Sequence, residues 1–192
     1  MDLARRRGTL TAHEARAAGI HPQVLTRLVS DGTLVRVARG QYRLPNAPVT
    51  EHHALALAAV AVPEGVVCLI SALAFHEIGT HVPSRVWMAL DRRARRPTLD
   101  WPPLQIVRFG GDALTRGIEV HEVERVSVRV YSPAKTVADL FKYRNKVGLD
   151  VALEALKEVW RERRASVDEI DRYARVCRVE RVMRPYLQAV VA

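Results

Sequence analysis

The amino-acid sequence predicts an α+β protein of two domains, and three observations support this prediction. Residues 11–44 contain two short helical patterns followed by two strand patterns that a glycine separates. Residues 66–131 contain short runs that are either wholly apolar or alternate between apolar and polar residues. Residues 132–191 have apolar residues at helical spacing, with helix-capping residues between the segments. We therefore expect a small N-terminal domain, followed by a mixed α/β C-terminal domain that ends in a helical bundle.

Two prolines mark the predicted boundary between the domains. The stretch Pro45-Asn46-Ala47-Pro48 follows a strand pattern and precedes a helical pattern, as linkers commonly do. This places one domain at residues 1–48 and the other at residues 49–192.

The segment from His21 to Ser30 is the most informative part of the sequence. Its apolar residues fall on one face of a helix and its polar residues on the other. The apolar stripe is Val24, Leu25, Leu28 and Val29; the opposite side carries Gln23, Thr26, Arg27 and Ser30, with His21 at its start. Pro22 suits the first helical position, and Gly32 suits the residue after the helix. Such a polar face has the groups that hydrogen-bond to base edges in the DNA major groove.

The residues before this segment predict a second helix and a tight turn. Thr11 and Glu14 fit the capping-box pattern, in which each side chain binds the backbone of the other. They start an alanine-rich helix that Gly19 ends, and small alanines permit a close approach between helices. The break from Ala18 to His21 has about the length of the turn in a helix-turn-helix motif.

The residues after the segment predict a β-hairpin. Residues 33–37 and 41–44 are strand patterns, and the glycine-containing turn Ala38-Arg39-Gly40 joins them. Gly8-Thr9-Leu10 is a candidate for a short third strand. Helix, turn, helix and two-stranded wing is the order of elements in a winged helix-turn-helix domain.

Positive charge is concentrated in this N-terminal region. Residues 1–48 hold eight arginines and three acidic residues, so 8 − 3 gives a net charge of +5. The wing carries Arg36, Arg39, Gly40 and Arg43, and a basic run at the start consists of Arg5, Arg6 and Arg7. We expect the wing to contact DNA, whereas the basic run is either a solvated charge run or a set of phosphate contacts. A winged helix that binds only protein is the alternative.

The second domain is predicted to contain five strands and six helices. The strands are residues 66–70, 85–90, 105–109, 118–123 and 126–131, with a helix at 51–62 and a short helix at 72–78 capped by Ser71. Ser132-Pro133 begins a helix to Arg144, Gly148 interrupts it, and further helices follow at 150–163, 166–176 and 181–191. A basic loop joins two of the strands and carries Arg92, Arg93, Arg95 and Arg96. This loop is either solvated or a second phosphate-binding patch.

Composition limits the classes of function. A formal net charge of +9 and an isoelectric point near 10.2 indicate a polyanionic partner. Cys68 and Cys177 have neither metal-ligand spacing nor a disulfide framework, so we expect buried free thiols in a reducing cytoplasm. The sequence contains no signal peptide and no apolar run of the roughly 20 residues that cross a bilayer. We therefore expect a cytoplasmic protein.

No catalytic motif is evident, and we expect no enzyme activity, cofactor or metal. Phosphate-binding glycine loops and the HExxH motif are absent, and residues 64–131 contain no lysine for a nuclease site. His76, Glu77 and His81 are close in sequence, but a helix end and its loop explain them without a third ligand. Two alternatives remain open: a protein-interaction scaffold, and an enzyme that modifies nucleic acid with metal bound by His76, Glu77 or Asp91.

Two stretches resemble a known family. The stretch LTAHEARAAGIHPQVLTRLVSDGTLVRVARGQYRL resembles the winged-helix domain of AbiEi-type antitoxins, which are transcriptional regulators of bacterial type IV toxin–antitoxin systems. The later stretch YSPAKTVADLFKYRNKVGLDVALEALKEVW is similar to an element of their C-terminal domain, and its most specific residues are Ser132, Lys135, Thr136, Asp139 and Arg144. We expect a structural role for these residues: a helix-capping serine, a buried Lys135–Asp139 pair and an arginine anchor.

The resemblance implies a repressor that binds inverted repeats at its own promoter. It also implies a functional link to a nucleotidyltransferase-like toxin without a stable complex between the two proteins. On this chain the recognition helix would carry Gln23, Thr26, Arg27 and Ser30, and the wing would carry Arg36, Arg39 and Arg43. A solitary regulator without a toxin is the alternative within this class.

Overall fold

The computed structural model describes residues 9–38, 40–46 and 50–191, and these residues form an α+β protein. The described elements up to residue 75 are β1 (Thr9–Thr11), α1 (Ala12–Ala17), α2 (Pro22–Ser30), β2 (Val35–Ala38), β3 (Gln41–Arg43), α3 (His53–Ala61), β4 (Val66–Val67) and α4 (Leu69–Phe75). The later ones are β5 (Val86–Asp91), β6 (Leu104–Phe109), α5 (Asp112–Thr115), β7 (Ile118–Val123), β8 (Val126–Tyr131), α6 (Pro133–Lys142), α7 (Arg144–Val147), α8 (Leu149–Arg161), α9 (Val167–Cys177) and α10 (Glu180–Val191).

The chain divides into two compact units. The first contains residues 1–63, 97–104 and 121–128, and the second contains residues 64–96, 105–120 and 129–192. Two sheets are present in the described residues: a three-stranded sheet of order β1-β3-β2, and a five-stranded sheet of order β6-β5-β4-β8-β7.

The three-stranded sheet is antiparallel and contains the predicted hairpin. Thr9 pairs with Arg43 and Thr11 with Gln41, so β1 is the third strand that the sequence suggested, shifted by one residue. On the other side, Arg36 pairs with Tyr42, and a bulge follows before Ala38. A small core of Leu10, Ala15, Leu25 and Leu34 lies under these elements. The described strands and helices of residues 9–43 follow the predicted order.

A second connection in the first unit joins segments that are distant in sequence. The Glu124 carboxylate, at the turn between β7 and β8, accepts hydrogen bonds from the backbone N–H of Thr50 (2.7 Å) and its hydroxyl (3.1 Å). Its other oxygen lies 2.6 Å from Nδ1 of His53. Partial burial acts to raise the pKa of Glu124, but the bonds from Thr50 and His53 outweigh it and lower the pKa.

Helix α6 is the centre of the core of the second unit. Ser132 caps it, with its hydroxyl accepting from the Lys135 N–H, and Pro133 occupies the first turn as predicted. Every residue from Ala134 to Phe141 is buried, because α4, α8, α9 and α10 pack around this helix. Because the helix is completely buried, its polar side chains need hydrogen-bond or ion-pair partners within the protein.

The sequence prediction for residues 66–78 was wrong in its boundaries. The predicted strand 66–70 is only two residues long, and α4 begins at Leu69. Ser71 does not cap a helix but lies inside α4, where its hydroxyl accepts from the Trp87 N–H (2.9 Å) and donates to the Arg85 carbonyl (3.3 Å). The cause is the uniform apolar character of this run, since a segment buried on all sides has no periodicity that separates strand from helix.

Candidate nucleic-acid interface

Local hydrogen bonds position α1 and α2 as the sequence predicted. The Thr11 hydroxyl accepts from the Glu14 N–H (3.0 Å) and the Glu14 carboxylate accepts from the Thr11 N–H (2.9 Å), which completes the capping box. Gly19 has a φ of 76°, a left-handed conformation that glycine adopts without steric cost. The Ile20 N–H donates to the Ala15 carbonyl (2.8 Å), and this bond holds the turn into α2.

Helix α2 is anchored by one buried side chain. Leu25 is 2% exposed, whereas Leu28 and Val29 are partly buried against the same core. The prediction that Val24 belongs to this apolar stripe was wrong, because its exposed fraction is 44%. Val24 lies roughly 100° around the helix from Leu25, and the small core under Leu25 does not extend that far. Solvent therefore reaches a wider part of α2 than the sequence indicated.

The predicted recognition residues of α2 are exposed together. Gln23, Thr26, Arg27 and Ser30 are all solvent-exposed, as is His21, whose Nδ1 accepts from the Gln23 N–H (3.4 Å) at the start of the helix. The Thr26 hydroxyl donates to the Pro22 carbonyl (3.3 Å), and the Ser30 hydroxyl donates to the Arg27 carbonyl (2.8 Å). Since each hydroxyl uses its proton within the helix, its oxygen presents acceptor lone pairs to an incoming donor.

Arg27 is the cation of this exposed face. It forms no ion pair with another described residue. The nearest acid along the helix is Asp31, whose carboxylate accepts from the Thr33 N–H (2.9 Å). The hydrogen bonds from Thr33 lower the pKa of Asp31, and the positive charge of Arg27 adds a smaller effect in the same direction. The Arg27 guanidinium therefore keeps its donors available.

The hairpin presents two of the three predicted wing arginines among the described residues. Arg36 on β2 is exposed and Arg43 on β3 is half-buried; Arg39 lies outside the described residues. Gly40 has a φ of 74°, and its carbonyl accepts from the Ala12 N–H (2.7 Å). A side chain at residue 40 would be strained by this left-handed backbone. Gly40 therefore fixes the hairpin turn against the start of α1.

Gln41 has a role that the sequence did not reveal. It is only 5% exposed, and its amide nitrogen donates to the Leu57 carbonyl in α3 (3.3 Å), within the same compact unit. Nothing in the local sequence separates this glutamine from a solvent-exposed one at the start of a strand. Its partner is 16 residues away, so only the folded chain identifies it.

The other predicted phosphate contacts are partly described. Arg92, Arg93, Arg95 and Arg96 are all exposed in the loop after β5, and they belong to the second compact unit. The Asp91 carboxylate accepts from the Arg93 N–H (2.8 Å) and shapes the start of this loop. Arg5, Arg6 and Arg7 lie outside the described residues.

The two histidines considered for a metal-dependent activity have other partners. The His76 Nε2 lies 2.8 Å from the Tyr131 carbonyl oxygen, and the His81 Nδ1 lies 3.7 Å from a Glu154 oxygen. Glu77 follows α4 in a left-handed conformation with a φ of 54°. Within residues 9–38, 40–46 and 50–191, no group of three or more histidine, cysteine or acidic side chains is placed to hold a metal ion.

The predicted Lys135–Asp139 pair is confirmed and is completely buried. The Lys135 ammonium lies 2.6 Å from an Asp139 oxygen, and both side chains have no exposed surface. The other Asp139 oxygen accepts from the Cys177 thiol (3.1 Å), and the ammonium also lies 3.9 Å from the centre of the Tyr131 ring. Burial, with the nearby Asp139 charge, raises the pKa of the Cys177 thiol. Cys177 and Cys68 are both buried and free, as expected.

These observations define an α+β protein whose N-terminal part consists of two helices and a hairpin, with the polar face of the second helix exposed. Residues 1–45 match the model of the family described as the AbiEi antitoxin, a transcriptional regulator. The resemblance seen in the sequence is confirmed for these residues, which are similar to a family of transcriptional-regulator antitoxins. The similarity of residues 131–160 to the C-terminal domain stays a prediction. No curated protein matches the chain.

None of the helices in the described residues has the length and apolar character that a membrane span requires.

Proposed function

We propose that the protein is a DNA-binding transcriptional repressor that acts as the antitoxin of a type IV toxin–antitoxin system. The observation that carries this proposal is the exposed polar face of α2, within a segment that matches the AbiEi regulator family. In this proposal residues 1–48 are a winged helix-turn-helix domain and residues 49–192 are the C-terminal domain. The protein would act where its DNA target is, in the bacterial cytoplasm.

Helix α2 would enter the major groove of the operator. Gln23 and Arg27 are four residues apart and therefore lie on the same face, one turn from each other. Glutamine pairs with adenine and arginine with guanine through two hydrogen bonds each. Thr26 and Ser30 add acceptor oxygens beside them, and His21 lies at the helix start, where it can contact the edge of the groove.

The hairpin would bind the DNA backbone next to α2. Arg36, Arg43 and Arg39 supply the charge, and Gly40 keeps the turn compact. Contacts of this kind orient a protein on DNA without reading sequence, whether they are made to phosphates or in the minor groove. Arg5, Arg6, Arg7 and the basic loop of Arg92, Arg93, Arg95 and Arg96 would add further phosphate contacts.

The regulated promoter would be the protein's own, and it would carry inverted repeats. A two-fold repeat requires two copies of the recognition helix, so we propose paired or cooperative binding on DNA. The functional partner would be a nucleotidyltransferase-like toxin that the antitoxin opposes without a stable complex.

A gel-shift and footprinting experiment on the DNA upstream of the protein's gene tests this function. We expect protection of inverted repeats that a tenfold excess of random duplex does not abolish, since specific sites are typically bound about 10³-fold or more tightly. No binding at physiological salt, or equal affinity for random DNA, would contradict the proposal. Coexpression with a nucleotidyltransferase-like toxin encoded beside the gene then tests the antitoxin role. If the protein does not restore the growth of cells that express the toxin, it is a solitary regulator and not an antitoxin.

A further inference from the structure

The second compact unit contains a basic cavity at the corner between α9 and α10. Its volume is about 320 Å³, and it is lined by Arg175, Arg178, Val179, Glu180, Arg181 and Val182. This volume lies at the lower end of the range of about 300–1,000 Å³ that small-molecule sites occupy. Three of the six lining residues are arginines. All six lie at the end of α9 or the start of α10.

The charges around the cavity leave two arginines without a carboxylate. Arg175 is paired with Asp171, whose oxygen lies 2.7 Å from its guanidinium, and Glu180 is paired with Arg184. Each pair cancels its own charge. Arg178 and Arg181 are exposed and form no ion pair with any residue that the structure describes. The cavity therefore has an excess charge of +2 on two guanidinium groups.

The backbone holds these two arginines three residues apart in a fixed corner. Arg178 ends α9 in the left-handed conformation, with φ 60° and ψ 41°, a position that favours glycine. Its N–H donates to the Arg175 carbonyl (3.0 Å), and the Val179 N–H donates to the Ala174 carbonyl (2.8 Å). These bonds occupy the carbonyls of Ala174 and Arg175 in the last turn of α9 and fix the conformation of the corner.

Buried neighbours keep the corner rigid. Cys177, Val179 and Met183 are 1%, 6% and 1% exposed and pack into the core of this unit. The arginines are therefore attached to a backbone that cannot move easily. Positioned guanidinium groups bind phosphate oxygens through paired, charge-assisted hydrogen bonds, which are the strong ones.

From this arrangement we propose that the α9–α10 cavity binds a phosphate group, with Arg178 and Arg181 as its principal ligands and Arg175 at its side. Two sources supply this chemistry: a phosphorylated small molecule, or a phosphate of a nucleic-acid backbone. The site is separate in sequence from the α2 and hairpin residues, so its existence does not depend on the proposed operator contacts.

Titration of the full chain with inorganic phosphate, followed by NMR, tests the site. We expect saturable shifts of the backbone signals of Glu180 and Arg181. The variant Arg178→Gln/Arg181→Gln should weaken phosphate binding by about tenfold or more, the loss that a hydrogen bond to a charged group implies. The matched control is Arg172→Gln, an exposed arginine of α9 outside the cavity lining, and it should change the affinity by less than about twofold.

A parallel titration with a random DNA duplex identifies the source of the phosphate. If the double variant lowers duplex affinity and the salt slope by about one unit per lost contact, the phosphate belongs to nucleic acid. If duplex affinity is unchanged while phosphate binding is lost, the ligand is a small phosphorylated molecule. The proposal is overturned if phosphate moves no signal between residues 175 and 182, or if the double variant responds as the wild type does.

Discussion

At the scale of single residues, the charged side chains of this protein differ most in their solvent exposure. Arg27 and Arg36 are exposed, and neither forms an ion pair with a described residue. Lys135 and Asp139 have no exposed surface and bind each other. The first two residues are free to meet a ligand, whereas the last two can contribute only to the fold. Their substitutions should therefore have different consequences.

Arg27→Ala and Arg36→Ala should separate sequence reading from backbone binding. We expect Arg27→Ala to reduce discrimination between operator and random DNA by about 1–3 kcal/mol, the value of a good contact to a base. Arg36→Ala should weaken both duplexes alike and reduce the salt slope by about one unit. Equilibrium binding at several salt concentrations measures both effects. Equal losses on both duplexes for the two variants would contradict this division of roles.

Removal of one member of the buried pair should be costly. Lys135→Met leaves the Asp139 carboxylate buried without its ammonium, and we expect a loss of about 3–5 kcal/mol in the free energy of unfolding. The double variant Lys135→Met/Asp139→Leu removes both charges and should recover most of this loss, because paired apolar replacements are often neutral. Urea unfolding measures both values. If Lys135→Met has the same free energy of unfolding as the wild type, the pair does not stabilise the fold.

At the scale of the elements, the sequence predicted the starts of helices most accurately. Thr11 and Ser166 each complete a capping box, at the start of α1 and α9 respectively. Cap, proline and glycine patterns involve residues within a few positions, so tertiary packing changes them little. The predicted starts of α1, α2, α6 and α9 are for this reason within one residue of the observed ones.

The two capping boxes offer a matched pair of variants. Thr11→Ala should lower stability by about 1 kcal/mol and also weaken operator binding, because α1 supports the turn into α2. Ser166→Ala should lower stability by a similar amount and leave operator affinity unchanged, since α9 lies in the other compact unit. Thermal unfolding and gel shifts measure the two properties. Loss of operator affinity in Ser166→Ala alone would argue against α2 as the DNA-reading helix.

At the scale of the whole molecule, Glu124 links the stability of the first unit to pH. It joins the β7–β8 turn to Thr50 and His53, more than 70 residues earlier in the chain. Because its pKa is lower in the folded protein than the ordinary value of 4.5, the unfolded chain takes up a proton more readily as pH falls. The stabilisation is complete above this ordinary value and is lost as pH falls through the folded pKa.

We therefore expect the unfolding free energy to decrease below about pH 5, and Glu124→Gln to remove part of this decrease. Unfolding in urea at a series of pH values measures the dependence. The nearby Glu122→Gln, at an exposed residue of β7, serves as a comparison. An identical pH dependence in the wild type and in Glu124→Gln would exclude Glu124 as its source.

The sequence by itself determined the order of the N-terminal elements, most helix starts and the pairing of Lys135 with Asp139 one helical turn later, because these depend on residues close together in the chain. Only the tertiary structure decided that Val24 faces solvent, that Ser71 lies inside a helix and that Gln41 binds Leu57. It also brought Cys177 to Asp139, and it left Arg178 and Arg181 at the α9–α10 corner without an ion pair to any described residue. Burial and hydrogen-bond partners of this kind depend on segments that meet only after the chain has folded, and local periodicity carries no information about them.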